Sequence, residues 1–199
     1  MKKILITTGG SGGHVVPAKI IKEHLNESYE IFLSTDLRGL KFFSSKEIRL
    51  KVINTPKISL NIFLPFNLIK LIYLIVVSII FLKNKKIDKV ISTGGYMSIP
   101  IVIGSKILGL SIVLLEPNMI LGRGNNFFLN FAKKILCYSD KICNFPKKYN
   151  HKIELIKPLV LKSFYDLQTY ECSNNKFCFL IVGGSQGAKI FDELIKGVM

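Results

Sequence analysis

Arginine is almost missing from this 199-residue chain: of 28 basic residues, only Arg38, Arg49 and Arg123 carry a guanidinium. Proteins that read nucleic acids lean on that planar fork for bidentate contacts to bases and phosphates, so nucleic acid is not an expected partner. Cysteine is scarce too, with four in the chain, which excludes a disulfide scaffold. Cys137, Cys143, Cys172 and Cys178 have neither zinc-ribbon spacing nor a C-x-x-C pair. No metal site is expected, and they read as reduced, mostly buried thiols of a cytosolic protein. No cleavable targeting signal is expected either, because the run Ile4-Leu5-Ile6 stops at Thr7, short of an h-region, and glycines follow. Gly and Pro are ordinary at 15 and 7, and the chain is 49% hydrophobic, which excludes disorder.

What is present in excess is lysine and apolar surface. Acidic residues number 13, leaving a net charge of +15. A lysine field suits an anionic surface: lipid head groups, a nucleic-acid backbone or a phosphorylated substrate. A genomic bias towards Lys, Ile and Asn yields the same composition. The mean hydropathy of +0.37 is high for a soluble protein and points to a membrane or a large partner surface.

Periodicity predicts alternating strands and helices. Strands are expected at Lys3–Thr8, Glu30–Ser34, Arg49–Ile53, Lys89–Ser92, Ser111–Leu115, Lys134–Tyr138 and Ile153–Ile156. Helices are expected at Pro17–Leu25, Leu37–Phe43, Pro65–Lys83, Ser98–Leu108 and Gly124–Ala132. This alternation implies an α/β fold, a parallel sheet covered on both faces. Residues 1–160 then form one Rossmann-like lobe, and the polar stretch 161–176 is an inter-lobe linker. A second unit follows at 177–199: strand Phe177–Val182, glycine loop, helix Ala188–Lys196. One βα unit cannot bury both faces of its strand, so this second lobe is expected to be incomplete.

Two glycine loops sit between strand and helix, Gly9-Gly10-Ser11-Gly12-Gly13-His14 and Gly183-Gly184-Ser185-Gln186-Gly187. Glycine admits a ligand close to the backbone, and a helix N-terminus offers unpaired N–H groups, a combination suited to a diphosphate. Common nucleotide motifs do not fit. Read as G-x-G-x-x-G from Gly10, the third glycine falls on Val15, and neither loop ends in Gly-Lys-Ser/Thr. Asp36 stands near the place of a ribose-binding acid, so a nicotinamide-dependent oxidoreductase is disfavoured rather than excluded.

Four stretches in order are more specific: Gly9 to Ala18, Gly94-Gly95-Tyr96-Met97-Ser98-Ile99-Pro100, Glu116-Pro117-Asn118, and Gly183 to Ala188. Together they resemble the MurG family of peptidoglycan glycosyltransferases, over essentially the whole chain. The resemblance implies a GT-B fold: an N-terminal acceptor- and membrane-binding lobe and a C-terminal donor lobe around a cleft. It implies an inverting transfer of N-acetylglucosamine from UDP-GlcNAc to the undecaprenyl-diphosphate-linked muramyl pentapeptide (lipid I), giving lipid II without a cofactor. Carried over by position, Ser11, Gly12, Gly13, Asn118, Ser185 and Gln186 contact UDP-GlcNAc. His14 is the candidate base or an acceptor contact, and Gly94, Gly95, Tyr96 and Glu116 belong to the acceptor side or its loops, Glu116 assisting or anchoring. Two departures stand out. Pro117 replaces the family's Gln, and Lys157-Pro158-Leu159-Val160 lacks the arginine of the family's Asn-Pro-Val-Arg stretch.

The run Ile62–Leu82 carries one charge, Lys70. Because it lies between two expected strands of one sheet, it is expected to be a crossover helix rather than a span. Its outer face would enter the bilayer interface while Lys83, Lys85, Lys86 and Lys89 meet anionic head groups. The expected location is the cytoplasmic face of the bacterial plasma membrane. A competing expectation is a non-catalytic, membrane-docked acceptor lobe that needs a separate donor-binding chain.

Overall fold

The computed structural model describes residues 1–44, 47, 49–56 and 62–166. Seven strands, β1 (Lys3–Thr7), β2 (Glu30–Thr35), β3 (Leu50–Val52), β4 (Lys89–Ser92), β5 (Ser111–Glu116), β6 (Lys134–Cys137) and β7 (Ile153–Leu155), form one sheet. Their order is β3-β2-β1-β4-β5-β6-β7, and every pair is parallel. Four helices cross over: α1 (Gly12–Leu25), α2 (Leu64–Lys85), α3 (Ile99–Ile107) and α4 (Arg123–Phe128). The expected α/β architecture is therefore present, with each of the seven expected strands in place to within two residues.

Both faces of the sheet are apolar, as continuous Ile/Leu/Val strands require. Ile4, Ile6, Ile31, Leu33, Val113 and Leu115 point towards α1, packing on Ala18 and Ile21. The alternate residues Leu5, Phe32 and Val90 meet Leu82 of α2 and Ile101 of α3. Ile112, Leu114 and Ile135 meet Phe128 of α4. Close approach of α2 to α3 uses Gly104: a Cβ there would sit 3.2 Å from the Ile79 side chain.

Three helical expectations are corrected. α1 begins at Gly12 rather than Pro17, because the Ser11 carbonyl already accepts the His14 and Val15 N–H groups at 3.0 Å. Pro17 thus lies inside the helix, not in its first turn. The stretch 37–43 supplies only a 3-10 turn, Leu40–Phe42, and α4 ends at Phe128 instead of Ala132.

α2 is the outlier. Its 22 residues span about 33 Å at ~1.5 Å per residue, whereas the six residues of β2 or β5 span about 20 Å. Its fully buried residues, Ser78 and Leu82, lie in the second half. Along the opposite side Phe66, Ile69, Tyr73, Val76 and Ile80 are exposed, spaced three and four apart as one helical stripe. Among the described residues α2 is the one helix long and apolar enough to cross a membrane, yet it joins β3 to β4 within a single sheet.

Candidate functional site

In a parallel α/β sheet, loops leave the carboxyl ends of the strands, and a crevice opens where the strand order reverses. Here that point lies between β1 and β4, whose exits run in opposite lateral directions. The expected site residues of segment 1–160 lie at the carboxyl ends of β1, β4 and β5: in the loops that follow them, in the first turn of α1, and at the last residue of β5.

Gly9 and the Gly94-Gly95 pair hold the crevice floor together. Gly9 N–H donates to the Gly94 carbonyl at 3.1 Å. Gly94 and Gly95 have φ of +90° and +89°, a region L side chains rarely adopt. A Cβ on Gly95 would lie 2.7 Å from Gly9 Cα, so the two loops touch backbone to backbone.

His14 projects from the first turn of α1 over this floor. Its Nδ1 is 2.8 Å from the Thr93 carbonyl oxygen. A carbonyl only accepts, so Nδ1 carries a proton, and in the neutral ring Nε2 is the nitrogen with the lone pair. The Thr93 hydroxyl donates back to the His14 carbonyl at 2.9 Å. The ring edge packs on Gly94 and Gly9, since side chains there would meet it at 3.2 Å.

Glu116, at the end of β5, is fully buried, and its carboxylate accepts four hydrogen bonds. Oε1 takes the Asn118 backbone N–H at 3.2 Å and its Nδ2 at 3.0 Å. Oε2 takes the Gly122 N–H at 2.8 Å and Asn125 Nδ2 at 3.0 Å. This geometry makes Glu116 an anchor for the loop from Pro117 to Gly122, one of its two expected roles. It also holds the exposed Asn118 by its amide nitrogen, a contact that does not use the amide oxygen. Burial, with a smaller push from the Glu116 carboxylate, raises the Cys137 thiol of neighbouring β6 to about 11.

The remaining expected residues fall as follows. Ser11 caps α1 with its backbone alone and is exposed, as is Gly13. Gly12 is the first residue of the helix. Tyr96 opens a 3-10 turn before α3, and its hydroxyl donates to the Pro56 carbonyl. Ser185 and Gln186, with most of the linker and the whole 177–199 unit, lie outside the described residues.

Sequence reasoning missed two participants. Thr93 precedes the glycine pair and orients His14. Asn125 is buried and bridges Glu116 to the Leu115 carbonyl at 2.9 Å. Its Oδ1 is buried without a hydrogen-bond partner and stands close to Gly94, 3.4 Å from where a Cβ would sit. Asp36, weighed as a ribose ligand, is instead engaged by Arg38 Nε at 2.8 Å and the Gly39 N–H at 2.9 Å. Among the described residues no three His, Cys, Asp or Glu side chains converge on a point that could hold a metal.

Comparison with known proteins places these features in a family. Residues 4–137 match the glycosyltransferase family 28 N-terminal domain. A Pelagibacter ubique protein called UDP-N-acetylglucosamine--N-acetylmuramyl-(pentapeptide) pyrophosphoryl-undecaprenol N-acetylglucosamine transferase is 49% identical over 199 residues, all of this chain and 56% of that protein. A Rickettsia canadensis protein of the same name is 37% identical, covering 98% of this chain and 55% of the relative. The chain thus spans little more than half the length of these relatives. The crystal structure of Acinetobacter baumannii MurG superposes with a TM-score of 0.75 at 24% identity, over 97% of this chain and 55% of that one. UDP-GlcNAc 2-epimerase from Methanocaldococcus jannaschii has the same fold at a TM-score of 0.58, with 11% identity, 78% of this chain and 45% of that one covered.

Proposed function

Because the chain belongs to glycosyltransferase family 28, we propose that it is the acceptor- and membrane-binding lobe of a MurG-type transferase. The reaction is transfer of N-acetylglucosamine from UDP-GlcNAc to undecaprenyl-diphosphate-linked muramyl pentapeptide, converting lipid I to lipid II. The observation that carries the proposal is the His14–Thr93 pair at the switch point.

The chemistry follows from that pair. An acceptor hydroxyl attacks C1 of the donor sugar as the bond from C1 to the UDP oxygen breaks, with inversion. The hydroxyl proton passes to Nε2 of the neutral imidazole of His14, the tautomer whose Nδ1–H donates to the Thr93 carbonyl. Charge developing on the diphosphate is met by N–H groups at the start of α1, from Gly12 and Gly13, assisted by the Ser11 hydroxyl. Asn118, steadied by Glu116, offers its amide oxygen to a sugar hydroxyl. Ser185 and Gln186 contact the nucleotide from the second lobe.

The exposed stripe of α2 supports docking at the cytoplasmic face of the plasma membrane. A crossover helix facing water presents polar residues outward; this one presents Phe66, Ile69, Tyr73, Val76 and Ile80. Lys83, Lys85 and Lys86 close its C-terminal end, all exposed, where each adds about 1 kcal/mol near an anionic leaflet.

The test is sugar transfer to a lipid-linked muramyl acceptor. It is run with the chain and with a chimera in which the chain replaces the matching residues of the Pelagibacter ubique relative. Turnover by the chimera, with little by the 199 residues alone, is the expected result. A folded chimera that transfers no sugar overturns the proposal. Robust turnover by the chain alone refutes its dependence on further donor-lobe residues.

A further inference from the structure

Two of the three arginines meet at one cavity. Arg38 and Arg123, with Thr55, Tyr96, Met97 and Phe127, line a space of about 720 Å³ beside the carboxyl ends of β2, β4 and β5. The third arginine, Arg49, stands apart from it, 3.5 Å from Glu30.

The two guanidiniums are held differently. Arg38 is fixed from behind: its Nε donates to Oδ2 of the buried Asp36, whose Oδ1 accepts the Gly39 N–H. One edge of the fork is thereby used, and the terminal amino groups remain for a further acceptor. The Asp36 carboxylate also fills the space a side chain on Gly10 would take, 2.0 Å from its Cβ position, which ties this wall to the first glycine loop. Arg123 opens α4 and makes no ion pair among the described residues. The next residue, Gly124, lies against the Gly95 backbone, 3.2 Å from its Cβ position. The cavity therefore shares a wall with the floor beneath His14. With Asp36 counted, its charged groups sum to one net positive charge, and its remaining surface includes the apolar Met97 and Phe127.

Two cations facing one space call for an anion, and paired guanidiniums suit phosphate oxygens. The adjoining apolar residues call for hydrocarbon. We infer that this cavity seats the diphosphate of a polyprenyl-linked substrate, with Arg38 and Arg123 gripping its oxygens and Met97 and Phe127 against the first isoprene carbons. The inference rests on the reading of the chain as an acceptor lobe.

Farnesyl diphosphate is the probe, titrated into the full chain by calorimetry. Inorganic diphosphate, UDP and phosphatidylglycerol vesicles form parallel arms. R123Q and R38Q should each weaken farnesyl diphosphate binding about tenfold. R123K should recover only part of the loss, and R49Q should bind as the parent does. Inorganic diphosphate should bind more weakly than the farnesyl ester but lose affinity in the same variants. The inference is overturned if the parent does not bind farnesyl diphosphate, or if R123Q and R38Q bind it within about twofold of the parent. It is equally overturned if R123Q impairs only UDP binding or only vesicle binding, which assigns the cavity to the donor or to bulk lipid. None of these outcomes touches the chimera assay, so the transferase reading stands or falls separately.

Discussion

The Thr93 carbonyl lies 2.8 Å from His14 Nδ1, and the Thr93 hydroxyl returns a 2.9 Å bond to the His14 carbonyl. The residue leaving β4 thus grips the first turn of α1 at two points and fixes which imidazole nitrogen faces the crevice. In the chimera, H14Q should lower kcat by about 10²–10⁴-fold with little change in the KM for UDP-GlcNAc. T93V keeps the carbonyl and loses only the return bond, so its kcat should fall about tenfold or less. Steady-state kinetics on both variants decide the matter; an H14Q enzyme at parental kcat removes the base from the mechanism.

Glu116 should matter to stability before it matters to chemistry. In E116Q an amide nitrogen faces donors that now meet a carboxylate oxygen, costing about 1–3 kcal/mol. E116A leaves those N–H groups without their shared acceptor and should cost at least as much. Thermal melting of the isolated chain reads both, and parental melting of E116Q contradicts the anchor role.

The Gly94-Gly95 pair and the first glycine loop should respond differently to a methyl group. G95A places Cβ against Gly9 at a φ of +89°, and should destabilise by more than about 2 kcal/mol. G13A meets nothing within 4 Å, so the fold should gain up to about 1 kcal/mol. In the proposed mechanism the same methyl group would stand in the path of the donor diphosphate, so UDP-GlcNAc affinity in the chimera should drop.

The proposed membrane docking should be separable from folding. F66E and I69E replace exposed stripe residues, so each should abolish flotation with vesicles while leaving the melting curve unchanged. Replacing Lys83, Lys85 and Lys86 by Gln should weaken binding to anionic vesicles only. Equal recovery of the parent chain on neutral and anionic vesicles defeats the electrostatic part.

The two described thiols should differ in reactivity. Cys137 is buried, with its thiol raised from an ordinary 9.0 to about 11, whereas Cys143 is exposed. Alkylation at pH 8 followed by peptide mapping should modify Cys143 and spare Cys137. The fold favours the neutral Cys137 thiol, so its contribution to stability is intact below pH 9 and declines as pH rises from there towards about 11. In C137A that part of the alkaline loss should disappear from pH-dependent melts.

The strands were legible because each is a short apolar run between polar or glycine punctuation, and parallel packing buries both faces of Ile4–Ile6 or Ile112–Leu115. Helix starts were less so. Gly12 and Gly13 have poor helix propensity, and Pro17 resembled a first-turn proline, yet the Ser11 carbonyl captures two N–H groups and nucleates the turn earlier. Site residues sharing a motif, such as Ser11 to His14 and Gly94 to Tyr96, were visible as motifs. Partners that meet only through the sheet were not. Nothing in the spacing of Arg38 and Arg123, or of Thr93 and His14, announces their encounter, because it depends on the order β2-β1-β4-β5. Asn125 carried no signal beyond lying near Glu116 in the chain.

The length of α2 beyond its sheet has a kinetic consequence. On the proposed function, a catalyst moored by that greasy outrigger would search for its acceptor in two dimensions and would never extract the isoprenoid tail into water. Its rate should then follow the mole fraction of acceptor within the lipid phase, not the bulk concentration. Diluting the acceptor with inert lipid at constant total amount should slow turnover as severely as lowering its amount by the same factor in unchanged lipid.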